Sequence, residues 1–366
     1  MNNNEAVQSA AEASIPQTGS NMGGEIIHDR EFEKEVAEFI SEHLPAKVYN
    51  AHFHITRGID TSTEETILKG TGEQPVSGGS DAPFSDFLSF TSANIGSGRF
   101  ESGLVLPKPG FLGAYRNPRF IADENVYNIA LAEKHGLDAG LLVTPQCDPA
   151  ESMSLLDGHT CIKALKPYWS YSVGKNLYES DILEYAPEWI WQCAHERGMP
   201  VVLHLSHTLN QLSDQGNISQ LHYISSKYPR AKIVLAHSAT GYNSLKSRKG
   251  LEAIKGLKNI WFDCSGAPDT IATFNCMRMF GPEHMMWGDD YDYSTFNGRI
   301  RGVGANYIGL SAEEMDFSNL YPDYMFRPMR NILEGVMSLF EACDLLGLDR
   351  SDTERVFYQN GKEFYK

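Results

Sequence analysis

The chain has 366 residues, 42% of them apolar, and carries a formal charge of −16 from 31 basic and 47 acidic side chains. That length supports one large barrel or two modest domains, and the acidic balance excludes a phosphate-tracking basic surface, so neither nucleic acid nor an anionic membrane is an expected partner. Six cysteines (Cys147, Cys161, Cys193, Cys264, Cys276, Cys343) stand singly with no C-x-x-C pair, which fits neither a zinc ribbon nor a secreted disulfide framework and points to a reducing compartment.

Taken in chain order, residues 1–25 have neither a basic segment nor an apolar core, and are expected to be a disordered tail on a cytoplasmic protein. Residues 26–366 read as a single domain. No stretch approaches the roughly 18 apolar residues that span a bilayer. From residue 45 onward, short β-branched runs recur at 46–55, 101–107, 139–145, 161–167, 200–205, 231–237, 259–265 and 284–290. Amphipathic stretches at 123–136, 181–198, 217–229, 244–256 and 268–281 alternate with them, several ending at glycine, a helix stop signal. Eight strands alternating with helices call for an α/β fold, a closed (β/α)8 TIM barrel; the run at 101–107 is the weakest of the eight and keeps an open sheet as the alternative. No G-x-G-x-x-G or G-x-x-x-x-G-K follows a strand, so nothing supports a nucleotide-binding open sheet.

Two segments break the alternation. Residues 56–100 form a Gly/Ser/Thr-rich insertion after the first strand, long enough to be functional and placed over the barrel mouth. With the residues to 118, it is expected to set specificity and to lend Phe84 or Phe87 to a substrate wall. The tail from 311 to 366 reads as helices that close the barrel wall.

Side chains on a strand alternate faces, so His52 and His54 project to one side as an H-x-H chelate. Alone, that pair is as readily an ordinary histidine pair. His204 closes PVVLHL, His237 closes AKIVLAH and Asp290 closes HMMWGDD, and in a TIM barrel those strand ends converge on the active-site mouth. Such groups after apolar strands are costly to bury unless paired or metal-bound. Lys166 lies on one face with Ile162 and Ala164 at another strand end. It is read as a binder of a substrate carboxylate, with an idle lysine and a carbamylated metal bridge as alternatives. Tyr168 and Trp169 would stack on a flat substrate or pack a lid. His207 is placed beside the substrate, with a solvent-facing histidine as the plainer reading. Asp263 would orient His237 or substrate, or make structural hydrogen bonds. The other histidines carry no assigned chemistry.

The runs LPAKVYNAHFHI, ALKPYWSY, VVLHLSHTL, YPRAKIVLAHSATGYN, LKNIWFDCSGAP, FGPEHMMWGDDYDY and LDRSDTERVFYQNGKEFY resemble the amidohydrolase-2 branch of the amidohydrolase superfamily, over residues 45 to 366. The resemblance implies a distorted TIM barrel holding one divalent metal. His52, His54, His204 and Asp290 would be its ligands, with His237 outside the ligand set or catalytic. Two positions depart from the family pattern. Asn50 stands where D-x-H-x-H has its aspartate, and Asp289 competes with Asp290 as the strand-eight ligand.

The nitrogen and oxygen donors suit Zn²⁺, with Mn²⁺ or Fe²⁺ as alternatives. Asp290 is expected to act as general base and His237 to polarise a substrate carbonyl. The expected reaction is metal-dependent hydrolysis of an amide, ester or lactone in a small molecule. Non-oxidative decarboxylation or hydration of a small carboxylic acid (a lyase) is the alternative, and a non-catalytic barrel binding protein the alternative of another class. Self-association as a homo-oligomer is left open.

Overall fold

The computed structural model describes residues 31–56, 82–109, 118–173, 179–206, 210–266, 269–304, 306–311 and 329–366. The expected tail at 1–25, the Gly/Ser-rich centre of the insertion and His207 lie outside the described residues.

Each apolar run becomes a strand of one sheet: β1 (Val48–His54), β2 (Phe100–Leu106), β3 (Asp138–Leu142), β4 (Ile162–Lys166), β5 (Pro200–Leu203), β6 (Lys232–Leu235), β7 (Ile260–Asp263) and β8 (Met285–Met286). The sheet order follows the chain from β1 to β8 with neighbouring strands parallel. Backbone hydrogen bonds from Ala51 N to Trp287 O (2.8 Å) and from Asp290 N to His52 O (2.9 Å) join β8 back to β1. The result is the (β/α)8 barrel expected from the alternation, with the weakest run, 101–107, fully part of it.

Helices clad the barrel: α1 (Glu31–His43), α2 (Ala82–Ile95), α3 (Pro118–His135), α4 (Pro149–Gly158), α5 (Glu188–Arg197), α6 (Gln215–Lys227), α7 (Ser244–Ile254), α8 (Thr270–Phe280) and α9 (Asn331–Leu346). A final helical run extends from Arg350 to Phe364. The stretch at 181–198 is two helices, because Pro187 lacks an N–H and interrupts the first after Tyr185. An antiparallel hairpin, β9 (Gly298–Val303) with β10 (Asn306–Ser311), follows β8 and was not anticipated.

Strand alternation sorts the core into two layers. Ala51, Leu104, Leu106, Ala164, Val202, Val234 and Met286 form one buried cluster inside the barrel, capped below by Tyr49 and Tyr365 stacked at 6.1 Å. Their neighbours on the same strands, such as Phe53, Leu165, Val201, Ile233 and Phe262, face the helices. Continuing the inner rows upward leads to Lys166, His204 and Asp263 at the strand ends, while in β1 a register shift between Asn50 and Phe53 moves the inner row from Ala51 to His52 and His54.

Within the expected loop at 56–100, residues 82–95 form the helix α2. Phe84 and Phe87 are buried on α2 and do not form a substrate wall. Phe87 stacks on Phe53 at 4.7 Å, and Phe84 lies 4.1 Å from the His135 ring. With His52 and His54 facing inward, Phe53 between them faces outward, and α2 supplies the apolar surface it requires. Burying such a ring contributes about 1.5–3 kcal/mol. Phe87 and Phe90 also contact Tyr291, at 5.2 and 5.3 Å, so α2 supports the β8 loop from behind.

Candidate metal centre

Three imidazoles are oriented by a partner on one nitrogen. His52 Nδ1 lies 3.0 Å from Asp263 Oδ2, His54 Nδ1 lies 3.0 Å from the Leu106 carbonyl, and His237 Nδ1 lies 2.7 Å from the Ser265 carbonyl. Those partners are acceptors, so each Nδ1 carries the proton and each Nε2 carries a lone pair. His204 Nδ1 faces His237 Nε2 at 3.0 Å, and donates to it by the same reasoning. His52 Nε2 and His54 Nε2 both approach Asp290 Oδ1, at 3.6 and 3.3 Å. His52, His54 and Asp290 thus present donor atoms within 4.8 Å of one another. Two free imidazole lone pairs and a carboxylate oxygen converging in this way fit a divalent transition metal. His204 stands outside that cluster, tied to His237.

Burial lowers His52 to about 4 and also lowers His54 and His204, so all three are neutral at neutral pH. Burial pushes Asp290 up, but the surrounding His54, His237 and His52 outweigh it and hold the carboxylate well below its usual range. Asp263 behaves in the same way beside His52. Its Oδ2 orients His52, while Oδ1 accepts from the N–H groups of His237 and Ser265, each at 3.1 Å, and from Ser265 Oγ at 2.5 Å. Asp263 therefore orients His52 through its side chain and His237 through its backbone.

The backbone at these residues is unusual. His237, Ser238, Ala239 and Thr240 follow one another with φ between 49° and 59°, and Asp290 has φ 57°. Left-handed geometry costs a non-glycine residue on the order of 1–2 kcal/mol, and clusters of it mark functional sites. Gly266 is required here, because a Cβ at its position would overlap Asp290 Oδ2.

Asn50 and Asp289 both lie behind the cluster. Asn50 Oδ1 accepts from His52 N at 3.3 Å and from Asp289 N at 3.2 Å, strapping β1 to β8. Asp289 Oδ1 accepts from Tyr291 N at 2.9 Å, and burial pushes its carboxyl up to about 7. Of the two candidate aspartates at the end of β8, only Asp290 faces His52 and His54.

Lys166 is 1% exposed, and among the described residues its Nζ has no hydrogen-bond partner. Burial lowers the ammonium to about 8 against the pull of Asp263 and Asp290. Its Nζ lies 5.8 Å from the Tyr168 ring centre. Tyr168 stacks on Trp169 at 5.5 Å and meets the His204 ring at 5.2 Å. Lys108, just past β2, was overlooked in the sequence. It pairs with Asp292 and its charge reaches His54. A lysine just beyond a strand end was the available signal, as at Lys166. The remaining described histidines lie away from this cluster, for example His222 against the Ala253 carbonyl and His159 against Glu133.

The fold is a TIM barrel whose strand ends bring histidines and carboxylates together. A family model described as amidohydrolase matches residues 175–366. The chain belongs to the amidohydrolase family. No curated protein matches it in sequence. Among solved structures, it is similar to 4-oxalomesaconate hydratase from Rhodopseudomonas palustris, 14% identical, covering 87% of this chain and 95% of that one with a TM-score of 0.58. It is also similar to 5-carboxyvanillate decarboxylase from Sphingomonas paucimobilis (14% identical, 88% and 99% covered, TM-score 0.50). A third similar structure is 5-carboxyvanillate decarboxylase from Novosphingobium aromaticivorans, with bound manganese and 3-methoxy-4-hydroxy-5-nitrobenzoic acid (13% identical, 88% and 97% covered, TM-score 0.51). At these identities the likeness is one of fold. Among the described residues, no helix is long and apolar enough to cross a membrane.

Proposed function

We propose that this chain is a metal-dependent hydrolase acting on an amide, ester or lactone in a small carboxylate-bearing molecule. One observation carries the reading: His52 and His54 have their Nδ1 protons engaged, and both Nε2 lone pairs face Asp290 Oδ1. These three residues would hold one divalent metal, with His204 completing the set through its own Nε2. The nitrogen and oxygen donors suit Zn²⁺, Mn²⁺ or Fe²⁺. When bound, the ion supplies Lewis-acid polarisation and lowers the pKa of water.

Asp290 Oδ2, on the side toward His237 at 3.9 Å, serves as the general base that takes a proton from the attacking water. Neutral His237 has its proton on Nδ1, toward the Ser265 carbonyl. Its Nε2 is therefore an acceptor, and it can donate to a substrate carbonyl from that nitrogen only as imidazolium. The Lys166 ammonium offers a counter-charge to a substrate carboxylate, with Tyr168 and Trp169 beside it and His207 as a further contact. Asp263 keeps His52 in the ligating tautomer.

A lyase reading, hydration or decarboxylation, is favoured by the same unpartnered Lys166, since a carboxylate is what those reactions retain beside the reacting carbon or release. Product analysis separates the readings: a hydrolytic fragment supports the first, and CO2 or a hydrated product the second. Metal analysis of the purified protein tests the site itself. Close to one transition metal per chain is expected, with most of it lost in His54→Ala. Full retention in that variant overturns the assignment, and two metals per chain would make Lys166 a carbamylated bridge. A chain that neither carries divalent metal nor is stabilised by adding it would instead be a non-catalytic binding barrel.

A further inference from the structure

The β9–β10 hairpin interrupts the barrel repeat between β8 and α9, and its anchoring gives it a defined place. Arg299 reaches Glu334 at 2.6 Å and Ser338 at 3.1 Å on α9, and Arg301 reaches Asp269 at 3.3 Å before α8. On its other side the hairpin lies on the loop that follows β6. Asn243 Nδ2 donates to the Gly304 carbonyl at 2.7 Å, and the backbone at Gly302 sits against the Tyr242 carbonyl so closely that a Cβ there would overlap it. Any residue but glycine at 302 would push the hairpin off this loop.

The side chain held by this arrangement is Tyr242, just past the C-terminal end of β6. Its ring packs against Tyr307 of β10 at 5.0 Å and 48°, and only 9% of the residue is exposed. Among the described residues its hydroxyl has no hydrogen-bond partner. Burial first, then the nearby Tyr293, Tyr307, Asp290 and Tyr168, raise its ionisation well above the usual phenol value, so it remains a donor. Unlike the Lys166 ammonium, the hydroxyl is not sealed from solvent, although the ring beneath it is buried. Held past the end of β6 near Asp290 and Tyr168 with its tip open, it is placed to donate to an oxygen of an arriving ligand.

We propose that Tyr242 is a substrate-contacting residue, donating a hydrogen bond to an oxygen of the bound molecule from the β6 side while Lys166 approaches from the β4 side. The hairpin is then a specificity element that fixes the phenol in place. This rests on the reading that the mouth binds a small carboxylate, and the test separates the two claims. Benzoate, as a probe, is titrated calorimetrically into metal-bearing unaltered protein, Tyr242→Phe and Lys166→Met. Tyr242→Phe keeps the ring against Tyr307 and removes only the hydroxyl, so benzoate affinity should fall about tenfold with metal content and melting temperature unchanged. Equal affinity in Tyr242→Phe, with weaker binding in Lys166→Met, overturns the Tyr242 proposal alone. Unchanged affinity in both variants, or no binding by the unaltered protein, overturns the carboxylate reading and this proposal with it. A loss of affinity accompanied by a loss of metal or a lower melting temperature assigns Tyr242 to holding the fold, and also overturns the proposal.

Discussion

The two sides of the barrel mouth are built on opposite principles. Along β7 and β1, the groups around Asp263 satisfy one another: Asp263 bonds His52, His237 N and Ser265, and the two β1 histidines face Asp290. Along β4 and β5, Lys166 is buried with no hydrogen-bond partner among the described residues, and the His204 ring meets His237 and the Tyr168 and Trp169 rings. A satisfied network fixes geometry before any ligand arrives, whereas a buried cation without an acceptor lowers stability and leaves an electrostatic demand. The contrast separates a side whose imidazoles are held in fixed orientation from a side with an unanswered charge.

The largest effect should come from disturbing the satisfied side. Asp263→Asn keeps the shape but can turn an amide N–H toward His52 Nδ1, which drives the imidazole proton to Nε2 and removes its lone pair from Asp290 and any metal. Metal affinity should fall roughly 10- to 100-fold, the usual effect of losing a carboxylate behind a ligating histidine. Titration against a chelator measures it, and affinity equal to the unaltered protein would show that Asp263 is not orienting His52.

An effect of opposite sign is expected on the receiving side. Lys166→Met removes a buried, unpartnered ammonium and keeps its apolar length, so thermal stability should rise by about 1–3 kcal/mol while benzoate binding weakens. A lower melting temperature would mean that the ammonium is held by the fold, and the contrast between the two sides would collapse.

The smallest effect lies at the opposite end of the barrel and provides a baseline. Glu101, at the foot of β2, bonds Lys362, Lys47 and Tyr358. Hydrogen bonds from Lys362 and Lys47 hold its carboxyl down to about 2. Its folded pKa lies below the unfolded value, so its contribution is fully present above about pH 4.3 and is lost as pH falls toward 2. Solvent screens the cluster, so Glu101→Gln should cost less than about 1 kcal/mol at neutral pH. The difference should vanish in acid melts. A larger gap that persists at low pH would show that packing, and not charge, dominates there.

All eight strands were legible because their apolar runs are short, β-branched and bounded by helix periodicity. The convergence of His52, His54 and Asp290 could be anticipated because strand-end position is itself a coordinate in a barrel. What escaped has physical causes. Phe84, Phe87 and Phe90 sit at helical spacing, but a Gly/Ser-rich approach disguised α2 as loop. The hairpin sequence GRIRGVGANYIGLS carries arginines where a buried strand would carry apolar residues, because its partners are Glu334 and Asp269 rather than a core. Asn50 looked like a loss of charge beside the metal. In the fold it serves as an acceptor for two backbone N–H groups, a task that needs an oxygen and no charge.

Tyr365 has a further consequence. It plugs the base of the barrel against Tyr49, whose hydroxyl bonds Asp138 at 2.7 Å at the foot of β3. β8, which carries Asp290 to its place, closes on β1 late in the sequence as well. During synthesis, β1 must therefore wait for β8 before the barrel can close, and for Tyr365 before its base is plugged. With chains lengthening at about 5–20 residues per second, the first-made strand stays unsealed for many seconds. Its partner contacts are also among the most distant in the chain, the kind that form slowly. Nascent chains of this protein are thus committed to a long interval in which His52 and His54 exist as a solvent-accessible pair, before Asp290 is there to face them.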